Sequence, residues 1–178
     1  MKIQLIQSLE DIISVENLLA AWQEFILGKR SKPDVHEFSL HLMDNILQLH
    51  NDLVTAGGGT PPGAVANGTY CHGGYKRFNI SDPKPRIIHK AIVRDRLLHH
   101  AVYRILYPFF DRTFIADSYS CRINKGTHKA IERFQYMARK VSRNHTRTCW
   151  VLQCDVRKFF ASIDQRVLKQ QLSIYIPD

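Results

Sequence analysis

The most demanding chemistry this sequence could perform would fall on Asp155. It directly follows Cys149-Trp150-Val151-Leu152-Gln153-Cys154, a β-prone run with hardly any polarity. A run of that kind predicts a buried strand. A carboxylate at the end of such a strand sits where α/β and α+β enzymes place metals and substrates. Its hard oxygens suit Mg²⁺. The position equally suits an Asp that caps the turn after a strand. A second candidate is the pair Lys84 and Arg86, which flank Pro85 in a segment, Asp82-Pro83-Lys84-Pro85, that must turn. Proline stiffens the backbone there, and a preset lysine–arginine pair grips phosphates well. Two exposed turn cations without a ligand would read the same way.

Other chemistries lack their signatures. No cysteine pair has the spacing of a zinc knuckle, and Cys149 and Cys154 would point to opposite faces of a strand. His99 and His100 are adjacent on a predicted helix, so they diverge by about 100°. Neither a Walker-type nor a dinucleotide-binding glycine loop occurs. Ser118 and the nine histidines form no triad pattern.

The elements that must position these residues can be read from periodicity. Ser8 and Asp11 mark a helix start, with Ile12, Val15, Leu19, Trp22 and Ile26 at helical spacing and Gly28 as the stop. A second helix starts near Pro33 and carries Val35, Phe38, Leu42, Ile46, Leu49 and Leu53 over five turns. Residues 57–68 hold five of the nine glycines and two prolines, the composition of a flexible connection. Gly73-Gly74 suggests a hairpin, while Arg77–Ile80 and Arg86–His89 read as short strands. A helix from about Ile92 to Tyr107 ends before Pro108. Another follows Gly126-Thr127, with Ala130, Ile131, Phe134, Met137 and Val141 facing inward. A short amphipathic helix with Ile163, Val167, Leu168 and Leu172 closes the chain.

Composition narrows the class. With 178 residues, 44% of them apolar and 23% charged, the chain is of ordinary globular make-up. Disorder, collagen-like repeats and membrane spans are excluded, and no signal-peptide run follows the N-terminus. A cytoplasmic protein with reduced cysteines is expected. Charge is divided sharply. Residues 1–75 carry four Lys/Arg against eight Asp/Glu, whereas residues 76–178 carry 21 against eight. A net of +13 confined to one part of a chain is the footprint of a polyanionic partner, or of a solvated basic surface with none.

Three blocks, in this order, resemble bacterial reverse transcriptases of the group II intron and diversity-generating retroelement type. PKPRIIHKAIVRDRLLHHA (83–101) is similar to the first fingers block of that family. DSYSCRINKGTHKAI (117–131) is similar to its S-Y-x-x-R-x-x-x-G-x-H-x-A block. VLQCDVRKFFASID (151–164) is similar to the first catalytic palm block. The resemblance covers roughly residues 68–175 and is closest to the retroelement branch.

The resemblance implies roles. Asp155 would be the first metal-binding carboxylate and the catalytic residue, with the Val156 carbonyl as a further ligand to Mg²⁺ or Mn²⁺. Phe160 would be the gate that excludes a 2′-hydroxyl from the incoming deoxynucleotide. Lys84 and Arg86 would hold its triphosphate. Arg122, Lys125 and His128 would lie along the nucleic acid. The partners would be an RNA template, a DNA or RNA primer and a dNTP, with a retroelement accessory protein as a further candidate and no membrane. The fold expected is α+β, the fingers of a right-hand polymerase with the start of the palm. N-terminal helices (1–56) and the connection (57–68) would precede the fingers (69–148) and the palm start (149–178). The aromatic-x-Asp-Asp block of the family has no counterpart in these residues, so this chain alone is expected not to polymerise. The rival expectation is a non-catalytic RNA-binding module or a remnant of a truncated retroelement.

Overall fold

A computed structural model describes residues 4–57, 70–82 and 84–176, with the side chains of 55–57 left out of account. The expected connection at 57–68 lies outside the described residues, apart from Gly57 at the end of a helix. Among the described residues the architecture is helical with one two-stranded antiparallel sheet, an α+β class. Its contacts divide the chain into two compact units, Gln4–Tyr107 and the residues from Pro108 on.

The first unit opens with α1 (Leu9–Ile13) and α2 (Val15–Phe25). The expected single helix is broken because Ser14 ends one segment and caps the next. Its Oγ accepts from Asn17 N–H at 3.2 Å. Ser8 and Asp11 form the expected reciprocal cap of α1. The second expected helix is likewise two, α3 (Pro33–Leu40) and α4 (Leu42–Gly57), separated at His41. Pro33 takes the first helical position, where its missing N–H costs nothing.

The sheet is β1 (Tyr75–Ile80) and β2 (Arg86–Ala91), paired from Tyr75↔Ala91 to Ile80↔Arg86. Both expected strands are present. The expected turn at Gly73-Gly74 is not; the chain reverses between Ile80 and Arg86. Pro85 cannot donate to a ladder, which fits its place just before β2.

Helix α5 (Val93–Asp111) follows, running through Pro108 rather than stopping before it. Its Val93, Leu97 and Ala101 join Leu18, Ala21, Trp22 and Phe25 of α2, Val35 of α3, and Ile46 and Leu49 of α4 in one buried cluster. Each large side chain buried there contributes roughly 1.5–3 kcal/mol. Asn17 ties α2 to α5 with polar bonds. Its Nδ2 donates to the carbonyls of Ile12 (2.7 Å) and Ala101 (3.3 Å), and its Oδ1 accepts from Arg104 Nε at 3.2 Å.

The second unit holds α6 (Thr127–Val141), α7 (Phe159–Ser162) and α8 (Gln165–Leu172). Phe109 and Phe110 meet Tyr175 edge-on at 6.1 and 5.8 Å. Two expectations fail here. The run 149–154 forms no strand, and Trp150 and Leu152 are 92% and 88% exposed. A strand is held by a partner's N–H and C=O groups, and the pairing among the described residues is between β1 and β2 alone. The apolar stripe of α6 is not turned inward either: Ile131, Phe134, Met137 and Val141 are exposed.

Candidate functional site

Lys84 and Arg86 stand at the reversal of the hairpin, and both are exposed. Arg86 opens β2 opposite Ile80. Strand alternation places Lys76, Arg77, His89 and Lys90 on the same ribbon. The pairs Lys76↔Lys90 and Arg77↔His89 face each other across it. Of these, Lys76 and Lys90 are directly opposed like charges, which repel. Lys90 is ion-paired: its Nζ donates to Asp34 Oδ2 at 2.6 Å, and Arg96 joins the same oxygen at 2.5 Å. Burial alone would raise the Asp34 pKa. The hydrogen bond and charge of Lys90, with Arg96, outweigh that and hold it below the ordinary carboxylate value.

The ribbon is anchored by Asp95, a residue for which the sequence reading had no role. Its side chain is fully buried. Oδ1 accepts from Tyr70 Oη at 3.1 Å and Oδ2 from Gly73 N–H at 2.8 Å. His72 Nδ1 lies 3.4 Å from Oδ2. Burial, and then the adjacent Asp95, push the Tyr70 hydroxyl up to about 12. Gly73 eases this approach: a Cβ there would sit 2.5 Å from Ile92 Cδ1 and 3.1 Å from Asp95 Oδ2, so both side chains would have to shift. The signal available in the sequence was an acidic residue in the first turn of a helix, which ordinarily reads as a dipole partner on the surface.

In the second unit, the loop 112–126 is knotted from within. Arg122 donates through Nε to Asp111 Oδ1 (2.7 Å), through Nη2 to the Asp111 carbonyl (3.1 Å), and through Nη1 to the carbonyls of Ile115 (3.0 Å) and Ser118 (3.2 Å). Its side chain is only 10% exposed. Lys125 Nζ donates to the Ala116 carbonyl at 2.7 Å and lies over the Tyr119 ring. Asp117 accepts from Arg133 Nε and Nη2 at 2.9 and 3.1 Å, and from Tyr119 Oη at 3.0 Å. The Arg133 bonds hold the Asp117 carboxyl below its ordinary value. Arg122 and Lys125, expected along a nucleic-acid path, both bond within this loop. A guanidinium is the one side chain that can fork to four acceptors in this way. His128, in the first turn of α6, is exposed.

Asp155 and Val156 lie in the irregular segment before α7, both exposed. Phe160, in α7, is 88% exposed, and its ring meets Phe159 edge-on at 5.2 Å. The backbone of Lys158 is left-handed (φ 52°), which sets the turn from Asp155 into α7. In donor chemistry the Asp155 carboxylate and the Val156 carbonyl fit a hard cation, as two oxygens of the six an octahedral ion takes. Asp164 caps α8, its Oδ1 accepting from the N–H groups of Arg166 (2.8 Å) and Val167 (3.4 Å). Among the described residues no group of three or more His, Cys, Asp or Glu is placed to hold a metal.

No described helix is long and apolar enough to cross a membrane, and the four cysteines are free. Compared with known proteins, the chain matches no family model and no curated sequence.

Proposed function

We propose that this chain carries the fingers and the first catalytic segment of an RNA-directed DNA polymerase. The observation that carries the reading is the hairpin reversal. It brings Lys84 and Arg86, two residues apart, to the exposed end of a ribbon rich in further cations. Two cations preset on a short turn suit a triphosphate, whose oxygens they would neutralise and orient. The three sequence blocks described above support the same reading, and the +13 net charge of residues 76–178 suits a duplex held through its phosphates.

In this reading Lys84 and Arg86 position the triphosphate. The exposed ring of Phe160 screens the sugar of the incoming nucleotide. Asp155, with the Val156 carbonyl, holds a divalent cation. Such an ion supplies a Lewis acid for nucleotidyl transfer. Arg122 and Lys125 act one step removed, by fixing the loop that leads into α6, while His128 is left to face nucleic acid.

A second reading, a non-catalytic RNA-binding module, is favoured by one observation. Among the described residues, Asp155 belongs to no group of three or more His, Cys, Asp or Glu placed to hold a metal. One experiment separates the two. Affinity for a short RNA–DNA duplex is measured by fluorescence anisotropy, with and without a dNTP and Mg²⁺. The polymerase reading expects the dNTP to tighten binding, and expects Lys84→Ala or Arg86→Ala to abolish the gain. Tight duplex binding that the dNTP leaves unchanged favours the binding module.

A further inference from the structure

A cleft of about 640 Å³ opens between α3 and the base of the hairpin. That volume falls within the roughly 300–1,000 Å³ of small-molecule sites. It lies away from the cations proposed to take the triphosphate. Arg86 is at one end of β2 and Lys90 is four residues on, on the order of 13 Å along an extended strand.

The lining combines three chemistries. Phe38, whose ring contacts Trp22 at 5.1 Å, presents the rest of its half-buried surface to the cleft beside Ala91, Ile92 and Val93. Lys32 and Lys76 bring positive charge. Lys90 also lines the cleft and is ion-paired with Asp34, which it shares with Arg96. Among the described residues, Lys32 and Lys76 have no such carboxylate. Glu37, His41 and Asn45 supply hydrogen-bonding groups along the wall that holds Phe38. Asn45 Nδ2 donates to the Phe38 carbonyl at 3.0 Å, which leaves its amide oxygen as an acceptor.

The register sharpens the point. Lys76 and Lys90 are direct cross-strand partners on one face. Two lysines so placed weaken the sheet, and Asp34 offsets the charge of only one of them. An anion beside Lys76 would relieve what remains.

We propose that this cleft binds a nucleotide: the base against the Phe38 wall with its polar edge toward Glu37, His41 and Asn45, and the phosphate at Lys76 and Lys32. A flat apolar body explains the aromatic and aliphatic wall. Exocyclic amino groups, which guanine carries, suit the Glu37 carboxylate. A phosphate suits the uncompensated lysines. The ligand is either a free mononucleotide or one residue of a single-stranded RNA. The inference does not depend on the polymerase reading.

The test is a titration followed by amide chemical shifts at residues 38–45, 76 and 90–93. The probes are GMP, guanosine, ribose 5-phosphate and the single-stranded oligoribonucleotide AGAGAG. GMP should move these amides and bind at least ten-fold more tightly than guanosine or ribose 5-phosphate. Lys76→Glu should weaken it at least ten-fold. That variant removes a cross-strand repulsion, so its fold should be as stable as the parent's, and thermal unfolding checks this. Lys84→Ala should leave the titration unchanged, which keeps this site distinct from the triphosphate site. If only AGAGAG moves the amides, the ligand is a residue of an RNA strand. Ribose 5-phosphate binding as tightly as GMP, an unaffected Lys76→Glu variant, or no shift with GMP or AGAGAG would each overturn the proposal.

Discussion

Gly73 N–H donates to Oδ2 of the fully buried Asp95 across 2.8 Å, and this bond fixes where the hairpin leaves the helical core. With the Tyr70 hydroxyl on Oδ1, it makes one carboxylate the anchor of residues 70–73 on the first turn of α5. Asp95→Ala leaves two donors without an acceptor in a dry site. The expected loss is about 2–4 kcal/mol of stability, against about 1 kcal/mol for Tyr70→Phe, which removes one neutral donor. Urea unfolding followed by circular dichroism measures both. An Asp95→Ala loss below that of Tyr70→Phe would refute the anchor.

The same pair predicts an alkaline limb. The Tyr70 hydroxyl is pushed up to about 12 from an ordinary 10.0, first by burial and then by Asp95. A raised folded-state value means that unfolding is linked to proton release. Its contribution to stability is full below pH 10 and is lost as pH rises toward 12. Tyr70→Phe should therefore show a shallower fall in stability between pH 10 and 12 than the parent. Parallel curves for the two would remove Tyr70 as the cause.

Asp34 predicts the acid limb. Lys90 and Arg96 outweigh burial and hold its pKa below 3.8. A depressed carboxyl stabilises the fold above its unfolded value, and that stability is lost as pH falls through the lower folded value. Asp34→Asn should flatten the decline in stability below about pH 4. The effect will be modest, since the Asp34 side chain is 38% exposed and solvent screens the pair. Acid unfolding that is equally steep in the variant would count against the pair.

Arg122 separates a bracing role from a binding one. Its four donor contacts all stay within the loop and the end of α5. Arg122→Ala should cost about 2–3 kcal/mol and expose loop amides to hydrogen exchange, with Arg122→Lys intermediate because an ammonium cannot fork. If instead RNA affinity drops while exchange protection holds, the side chain contacts nucleic acid directly.

What could be read in the sequence followed from local rules. The Ser8–Asp11 cap, the start of α6 after Gly126 and the two strands of the hairpin rest on residues a few positions apart. What could not be read depended on partners elsewhere in the chain. Residues 149–154 have the composition of a buried strand, but composition does not provide a ladder, and these residues have none. Asp95 looks like a surface helix-start residue, and only the return of Tyr70 and Gly73 onto it, 22 to 25 residues upstream, makes it a buried anchor. Lys84 and Arg86 were legible as a pair because a proline-stiffened turn holds both. The bonds of Arg122 and Lys125 within their own loop could not be read, because a cation that braces a loop and one that meets a phosphate are the same letter.

The segment after α6 carries the last prediction. Arg143, Asn144 and His145 are all left-handed, with φ of 48°, 57° and 66°. Such backbone costs an L-residue with a Cβ roughly 1–2 kcal/mol, and asparagine less. Four bonds hold the turn in place. Asn144 N–H donates to the Arg139 carbonyl at 2.8 Å, and Arg147 N–H to that of Ser142 at 2.9 Å. His145 N–H donates to Ser142 Oγ at 2.9 Å, and Thr146 Oγ1 donates to the Arg143 carbonyl at 2.7 Å. Glycine adopts this conformation freely but gains entropy on unfolding, by about 0.4–1 kcal/mol relative to alanine. The difference leaves Arg143→Gly and His145→Gly more stable than the parent by roughly 0.5–1 kcal/mol each. His145→Val, β-branched at a positive φ, should be less stable than the parent. Ser142→Ala removes the buried acceptor for His145 N–H and should cost about 1–2 kcal/mol. Denaturant midpoints at constant slope give the ordering; a valine as stable as glycine at position 145 would show that the turn stores no strain.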